Sequence, residues 1–133
     1  MPLDMPFTEQ GPTPQRKARG ALAYLSGLQA EDSVCADYTA RGYTLCEKRW
    51  RGRAGEIDLI FEKSDTYVFV EVKSSSTLAR AAQSLSARQF ARICTSAEDY
   101  ISRTPKGFLT DMRVDVALVD HIGALEIHEN ASM

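Results

Sequence analysis

Two strand-like runs around a short polar turn contain the residues with the clearest chemical potential. The runs are Glu56–Phe61 and Tyr67–Lys73, and both alternate with a period of two, which is typical of half-buried strands. The intervening segment Lys63–Thr66 is polar and predicts the turn of a β-hairpin. The register of this hairpin decides which side chains meet.

With the turn centred between residues 64 and 65, the predicted register places Asp58 opposite Glu71 and Glu56 opposite Lys73. Opposed side chains have Cβ atoms about 5 Å apart, where like charges repel. A register shift of one residue would bury these charges. The other face of the hairpin consists of apolar pairs, namely Ile57–Val72, Leu59–Val70 and Phe61–Val68.

Two opposed carboxylates favour a bound cation, and their neighbour favours one kind of chemistry. Hard carboxylate oxygens can hold Mg²⁺ while waters and a substrate phosphate complete its octahedron. The metal polarises a phosphoryl oxygen and lowers the pKa of bound water. Lys73 lies two positions from Glu71 and can position that water or stabilise charge on phosphate. A phosphodiester suits this set of residues better than a sugar or an ester.

A simpler interpretation is that these charges face water from an ordinary antiparallel sheet. The same strand face carries Ile60, Tyr67 and Phe69 near the turn, so we expect that end to be covered and only the far end to be polar. Charges concentrated at one end of a half-buried face describe a cleft better than a solvated surface.

Composition limits the class of protein. The 133 residues suffice for one domain, and 44% hydrophobic and 26% charged residues are ordinary for a soluble globular protein. No run approaches the ~20 apolar residues of a transmembrane helix, and the polar start lacks a signal-peptide core. The net charge of −2 argues against a general nucleic-acid coat protein but allows a local basic surface. The three cysteines lack metal-type spacing and predict reduced, packed thiols in a cytoplasmic protein.

Proline and periodicity patterns predict a flexible tail over residues 1–19, one domain over 20–129 and a disordered end over 130–133. The predicted order is α-β-β-β-α-β-β, an α/β fold with a central mixed sheet flanked by helices. Besides the hairpin, the predicted segments are a helix over about 20–41 ended by Gly42, a strand over 43–48, a basic loop over 49–55, a helix over about 85–103 capped by Ser84 or Ser86, and strands over 112–119 and 124–128.

The hairpin sequence resembles a known nuclease signature. Gly55–Ile60, followed after the turn by Val68–Lys73, is similar to the PD-(D/E)xK motif. The chain more closely resembles the YraN-like family (UPF0102), bacterial predicted endonucleases related to archaeal Holliday-junction resolvases. The resemblance covers about residues 27–119 and includes Gly27-x-x-Ala30-Glu31, Gly42-Tyr43, Arg49–Arg51 and Arg113-x-Asp115-Val116.

This resemblance implies a restriction-endonuclease-like fold and a Mg²⁺- or Mn²⁺-dependent DNA endonuclease, acting on branched or processed DNA. Asp58 and Glu71 would be the metal ligands, with the Val72 carbonyl as a third. Lys73 would be the catalytic lysine, and Glu31 would approach the metal from the first helix.

Other positions bear on nucleic-acid binding. By the same resemblance, Gln89 on the second helix would reach toward phosphate. The basic residues Arg49, Arg51 and Arg53 surround Trp50, which combines positive charge with a stacking surface. The alternative is a solvated loop whose tryptophan packs on the sheet. By itself Asp115 predicts a structural partner for a loop or an arginine.

The sequence therefore leaves two candidate functions. The first is the DNA endonuclease, for which analogy with resolvases raises the further hypothesis of a homodimer. The second is a non-catalytic nucleic-acid-binding or assembly protein that retains the nuclease scaffold. The intact Asp58, Glu71 and Lys73 favour the enzyme. Ser75, at a position where the family usually has arginine, and a second helix with few basic residues favour the alternative.

Overall fold

A five-stranded mixed sheet with helices packed on both faces organises the chain. The computed structural model describes residues 14–131, with side chains from residue 26 onward. The elements are α1 (Pro14–Ala40), β1 (Thr44–Arg51), β2 (Glu56–Lys63), β3 (Thr66–Ser74), α2 (Leu78–Gln83), α3 (Ala87–Ser102), a 3₁₀ turn (Gly107–Leu109), β4 (Asp111–Val119) and β5 (Leu125–His128). This arrangement confirms the predicted α/β fold with a central mixed sheet flanked by helices, and it is consistent with the restriction-endonuclease-like architecture.

The strands lie in the order β1-β2-β3-β4-β5. Only β3 and β4 are parallel among these five strands, because α2 and α3 form the crossover between them. The other neighbouring strands are antiparallel. The short α2 is an additional helix that the predicted order α-β-β-β-α-β-β did not contain.

The predicted hairpin register is confirmed near the turn. Leu59 pairs with Val70 and Phe61 with Val68. Ser64 and Asp65 both have positive φ, 52° and 64°, as a two-residue type I′ hairpin turn requires.

The core has two main layers, one on each face of the sheet. Ala30, Val34 and Tyr38 of α1 cover one face, including Leu59 and Phe61. On the other face, α3 contributes the buried Ile93, Ala97 and Ile101, which pack against sheet residues including Ile57, Ile60 and Phe69. This helix is the one predicted over about 85–103. Ser86, one of its two predicted caps, is its N-cap and accepts a hydrogen bond from the Gln89 amide.

The prediction for Ile57 is wrong. Strict alternation would place it with Leu59 and Phe61, whereas it packs with Ile60 and Phe69 on the α3 face. The paired β2–β3 ladder ends at Leu59 and Val70, and Arg49 on the neighbouring β1 has a left-handed φ of 49°. Both features interrupt the regular pleat, so the period-two rule fails beyond this point.

Several predicted boundaries also differ. The first helix begins at Pro14, not near residue 20, since proline is well tolerated in the first helical turn; the rest of the predicted tail, residues 1–13, lies outside the described residues. Residues 49–51 belong to β1, so the loop is only 52–55. The main-chain amides of Asn130 and Ala131 donate to the Asp115 carboxylate and the Val114 carbonyl, respectively, and so hold these two residues against the sheet. Residues 132–133 of the predicted disordered end lie outside the described part. Gly42 ends α1 as predicted, at a φ of 94°.

No helix in the described part of the chain is long and apolar enough to cross a membrane. The three cysteines are free thiols, and each packs against one of the core clusters.

Candidate metal centre

Asp58 and Glu71 lie where strands β2 and β3 stop pairing. Beyond the Leu59–Val70 pair, the main-chain ladder is replaced by a side-chain contact: the Val72 amide donates to Asp58 Oδ2 at 2.8 Å. This bond anchors the Asp58 carboxylate between the two strands. The predicted cleft is therefore present, although Asp58 and Glu71 meet where the strands separate and not as a regular cross-strand pair.

The Glu71 side chain is buried, with 6% of its surface exposed. Its Oε2 accepts a hydrogen bond from Gln89 Nε2 at 3.4 Å and lies 3.5 Å from Lys73 Nζ. Its Oε1 is buried and accepts no hydrogen bond from the described part of the chain, and the carboxyl lies within hydrogen-bonding reach of the Asp58 carboxylate. An unsatisfied buried acceptor typically costs about 1–3 kcal/mol, so a ligand that gave Oε1 a partner would stabilise the site.

Electrostatics reinforce this conclusion. Burial, together with the negative charge of Asp58, raises the pKa of Glu71 to about 8, and the Lys73 ammonium only partly opposes that rise. Glu71 thus carries a desolvated carboxyl beside a second carboxyl, an arrangement that a divalent cation would stabilise.

The donor set fits a hard cation. Two carboxylates, with main-chain carbonyl, water and substrate oxygens as further ligands, are characteristic of Mg²⁺ sites. Among the described residues, no group of three or more His, Cys, Asp or Glu side chains is arranged to hold a metal ion. Main-chain, water or substrate oxygens would therefore have to complete the coordination shell of a metal ion bound by the pair. The Val72 carbonyl, the third ligand predicted from the sequence, would be one of them.

Glu31 approaches this centre from α1. It forms a close ion pair with Arg49, and only 16% of its side-chain surface is exposed. Burial first and the charge of Asp58 second raise the pKa of Glu31, while Arg49 opposes the rise. The helix thus directs an acidic group toward the site, but Arg49 engages it.

A cavity of about 300 Å³ opens on the α3 side of the two carboxylates. Its wall is a rigid loop, because the Gly55 carbonyl accepts hydrogen bonds from the Gly52 amide at 2.8 Å and from Ser96 Oγ at 2.9 Å. The Arg53 amide donates to Asp99 Oδ2 at 3.0 Å, which fixes the same loop to α3. The lining residues are Ala54, Gly55, Glu56, Asp58, Glu71, Gln89, Arg92 and Ile93.

Sequence reasoning missed Arg92, Ser96 and Asp99. Arg92 could have been found, because it follows Gln89 by three positions and therefore shares its helix face. Ser96 and Asp99 anchor a loop more than 40 residues away in sequence, and nothing local indicates this.

The predicted basic surface is only partly available. Trp50 packs edge-on against Tyr100, with ring centroids 5.1 Å apart, so its surroundings match the alternative in which the tryptophan packs on the sheet. Arg51 and Arg53 are 75% and 82% exposed in their side chains. They lie 3.7 Å from Glu56 and 3.8 Å from Asp99, respectively.

A larger cavity, about 620 Å³, lies at the carboxyl ends of β3 and β4. Its lining is rich in serine and contains a single carboxylate, Asp120, whose Oδ1 already accepts hydrogen bonds from the amides of Ile122 and Ala124. It contains none of the predicted site residues, so size alone does not mark the chemical centre.

Asp115 has the structural role that the sequence predicted. It is fully buried and accepts hydrogen bonds from the Tyr38 hydroxyl at 2.5 Å, the Arg113 guanidinium at 3.0 Å and the Asn130 amide at 2.9 Å. These contacts tie α1 and the segment after β5 to the sheet, on the side away from the metal centre's α3 cavity.

Fold and site together define an α/β protein with a carboxylate pair at the opening of a hairpin. The chain belongs to the uncharacterised protein family UPF0102, whose model matches residues 30–119 and so includes every residue of the candidate centre. A UPF0102 protein of Ruegeria pomeroyi is 55% identical over 114 residues, 86% of this chain and 93% of that protein. A UPF0102 protein of Roseobacter denitrificans is 50% identical over 121 residues, which cover 89% of this chain and 94% of that protein. A UPF0102 protein of Dinoroseobacter shibae is 43% identical over 118 residues, which cover 89% of this chain and 88% of that protein. The predicted family is confirmed.

Proposed function

We propose that this protein is a cytoplasmic, Mg²⁺-dependent endonuclease that hydrolyses DNA phosphodiester bonds, on branched or processed DNA. The observation that supports it most is that Glu71, whose buried Oε1 accepts no hydrogen bond from the described residues, lines the same cavity as Asp58 and lies within hydrogen-bonding reach of it. A structural carboxylate in that position would be expected to have both oxygens satisfied.

Asp58 and Glu71, with the Val72 carbonyl, would hold the metal ion. The chemistry that Mg²⁺ supplies in such a site is polarisation of a phosphoryl oxygen and acidification of water. Asp58 is oriented by the Val72 amide and Glu71 by Gln89.

Lys73 is the candidate catalytic residue of the protein itself. Its side chain is 18% exposed, and its Nζ is 3.5 Å from Glu71 Oε2. From that position the ammonium can donate to a phosphate oxygen or orient the attacking water. It also opposes the rise in the pKa of Glu71 and so favours the ionised carboxylate that a metal ion needs.

One observation favours the non-catalytic alternative. Of the predicted DNA-contacting arginines, Arg49 is paired with Glu31, and Arg51 and Arg53 lie within 4 Å of acidic groups. A scaffold whose basic side chains are partly neutralised by neighbouring acids would bind nucleic acid more weakly.

A cleavage assay separates the two functions. Purified protein is incubated with single-stranded, nicked, flap and four-way DNA, with Mg²⁺ or with EDTA. The endonuclease predicts Mg²⁺-dependent cleavage of at least one substrate, absent from Glu71→Gln. Binding without cleavage of every substrate would support the alternative and overturn the enzyme.

A further inference from the structure

Arg92 is the arginine that lines the cavity of the carboxylate pair. It lies on α3, three residues after Gln89, and shares the cavity with Asp58 and Glu71. The Arg92 side chain is exposed, and its guanidinium makes no ion pair or hydrogen bond with any residue that the structure describes. It therefore differs from Arg49, Arg51 and Arg53, each of which lies near an acidic group.

The absence of a pair is informative, because acidic groups are close by. Glu56, Asp58 and Glu71 line the same cavity as Arg92, yet none is within ion-pair distance of it. Glu71 instead contacts Lys73 and Gln89, and Asp58 contacts the Val72 amide. The cavity is thus lined by carboxylates and by an arginine whose guanidinium has no partner among the described residues.

The separation of the two charges is held by the fold. Ser96, one turn beyond Arg92 on α3, donates to the Gly55 carbonyl, and Asp99 accepts the Arg53 amide. The loop wall and the helix that carries Arg92 are therefore fastened to each other. The backbone of the cavity wall is therefore fixed before a ligand binds, and the Arg92 side chain is the part that a ligand would order.

A ligand that meets both sides needs two properties. It must approach the carboxylates through a cation, and it must offer a negatively charged, multi-oxygen group to a guanidinium. A phosphodiester satisfies both requirements, because arginine binds phosphate oxygens through parallel N–H donors.

We propose that this cavity is a phosphate-binding subsite and that Arg92 binds a backbone phosphate of nucleic acid held over the Asp58–Glu71 pair. The inference deepens the proposed function and rests on it for the identity of the ligand. Arg92 is a substrate-binding residue in this assignment, and Gln89, already engaged by Glu71, orients the carboxylate.

The test is binding of fluorescein-labelled DNA, followed by anisotropy over a salt series with Ca²⁺ in place of Mg²⁺, so that the carboxylate pair can hold a divalent cation. A denaturing gel of the same samples checks that the DNA stays intact. The variants are Arg92→Ala and Arg92→Lys, with Arg80→Ala as a matched control. Arg80 is also an exposed arginine without a partner among the described residues, but it lies on α2, outside this cavity. Arg92→Ala should weaken binding roughly three- to tenfold and reduce the magnitude of the salt slope by about 1. Arg80→Ala should leave both near the parent values.

Arg92→Lys should keep the salt slope but bind more weakly than the parent, since lysine lacks the paired donors. Equal losses in Arg92→Ala and Arg80→Ala, or no loss in Arg92→Ala, would overturn the subsite while leaving Mg²⁺-dependent cleavage by the parent intact. Failure of the parent protein to bind DNA would instead overturn the proposed function and this inference together.

Discussion

The Val72 amide donates a hydrogen bond to the Asp58 carboxylate at 2.8 Å, at the point where β2 and β3 cease to pair. The Asp58 carboxylate thus accepts the hydrogen bond that a main-chain carbonyl of β2 would accept in a continuous ladder. The strands can therefore separate without leaving the Val72 donor unsatisfied. The separation creates the opening in which Asp58 and Glu71 share a cavity.

This contact distinguishes two substitutions of Asp58. Asparagine keeps an oxygen for the Val72 amide, whereas alanine removes it, so Asp58→Ala should be less stable than Asp58→Asn by about 1 kcal/mol. Both should lose Mg²⁺-dependent cleavage. Urea unfolding and the cleavage assay check the two parts, and an Asp58→Asn protein with parental cleavage would remove Asp58 from the site.

The second prediction concerns pH and stability in EDTA. The pKa of Glu71 is raised from its ordinary value of 4.5 to about 8 by burial and by Asp58, with Lys73 opposing. Between those pH values the folded protein keeps a proton that the unfolded chain releases. The free energy of unfolding of the parent should therefore fall as pH rises through this window.

Glu71→Gln lacks this titration and is the reference protein. At pH 5 the two should have similar stabilities, and by pH 8.5 the parent should have lost up to a few kcal/mol relative to the variant. Mg²⁺ should restore stability to the parent only. Urea unfolding at both pH values provides the measurement, and parallel pH profiles would show that Glu71 does not titrate anomalously.

Lys73 should separate binding from chemistry. Lys73→Met removes the ammonium but not the two carboxylates, so divalent-metal binding should persist while the cleavage rate falls by about 100-fold or more. Lys73→Arg should retain part of the rate, because a positive charge remains. Single-turnover cleavage at saturating metal is the measurement. If Lys73→Met cleaves at the parental rate, Lys73 has no catalytic role.

Substitution of Asp115 should lower the stability of the fold and leave cleavage unchanged. It is fully buried with three kinds of donor around it, so Asp115→Ala should destabilise the fold by about 3–5 kcal/mol. At a temperature where the variant is still folded, its cleavage should match the parent. Normal stability combined with lost cleavage would mean that Asp115 belongs to the chemistry.

Local pattern was sufficient for the centre of the hairpin but not for its open end. The pairing of Leu59 with Val70 followed from alternation and the two-residue turn, since a slip would have exchanged the faces. Alternation predicted the wrong sheet face for Ile57 for two reasons. The β2–β3 ladder stops at Leu59, and Arg49 on the neighbouring strand β1 has a left-handed backbone. Neither event has a signal in the alternation of apolar residues.

Contacts between distant segments account for the remaining differences. The ion pair between Glu31 and Arg49 joins α1 to β1, and it changes the surroundings of both predicted site residues. Trp50 packs against Tyr100, 50 residues further along the chain, which a basic stretch of sequence does not reveal. The acids and the lysine were predictable because they lie within one hairpin.

The most direct test of the central claim is Mn²⁺ binding, measured by electron paramagnetic resonance on the parent, Glu71→Gln and Glu98→Gln. Glu98 is an exposed acid on α3 and controls for the loss of one negative charge. If Asp58 and Glu71 form a divalent-metal centre, the parent and Glu98→Gln should bind one Mn²⁺ with similar affinity, and Glu71→Gln should bind it at least tenfold more weakly. Equal Mn²⁺ affinity in all three proteins would contradict the assignment of Glu71 as a metal ligand, and with it the proposed nuclease centre.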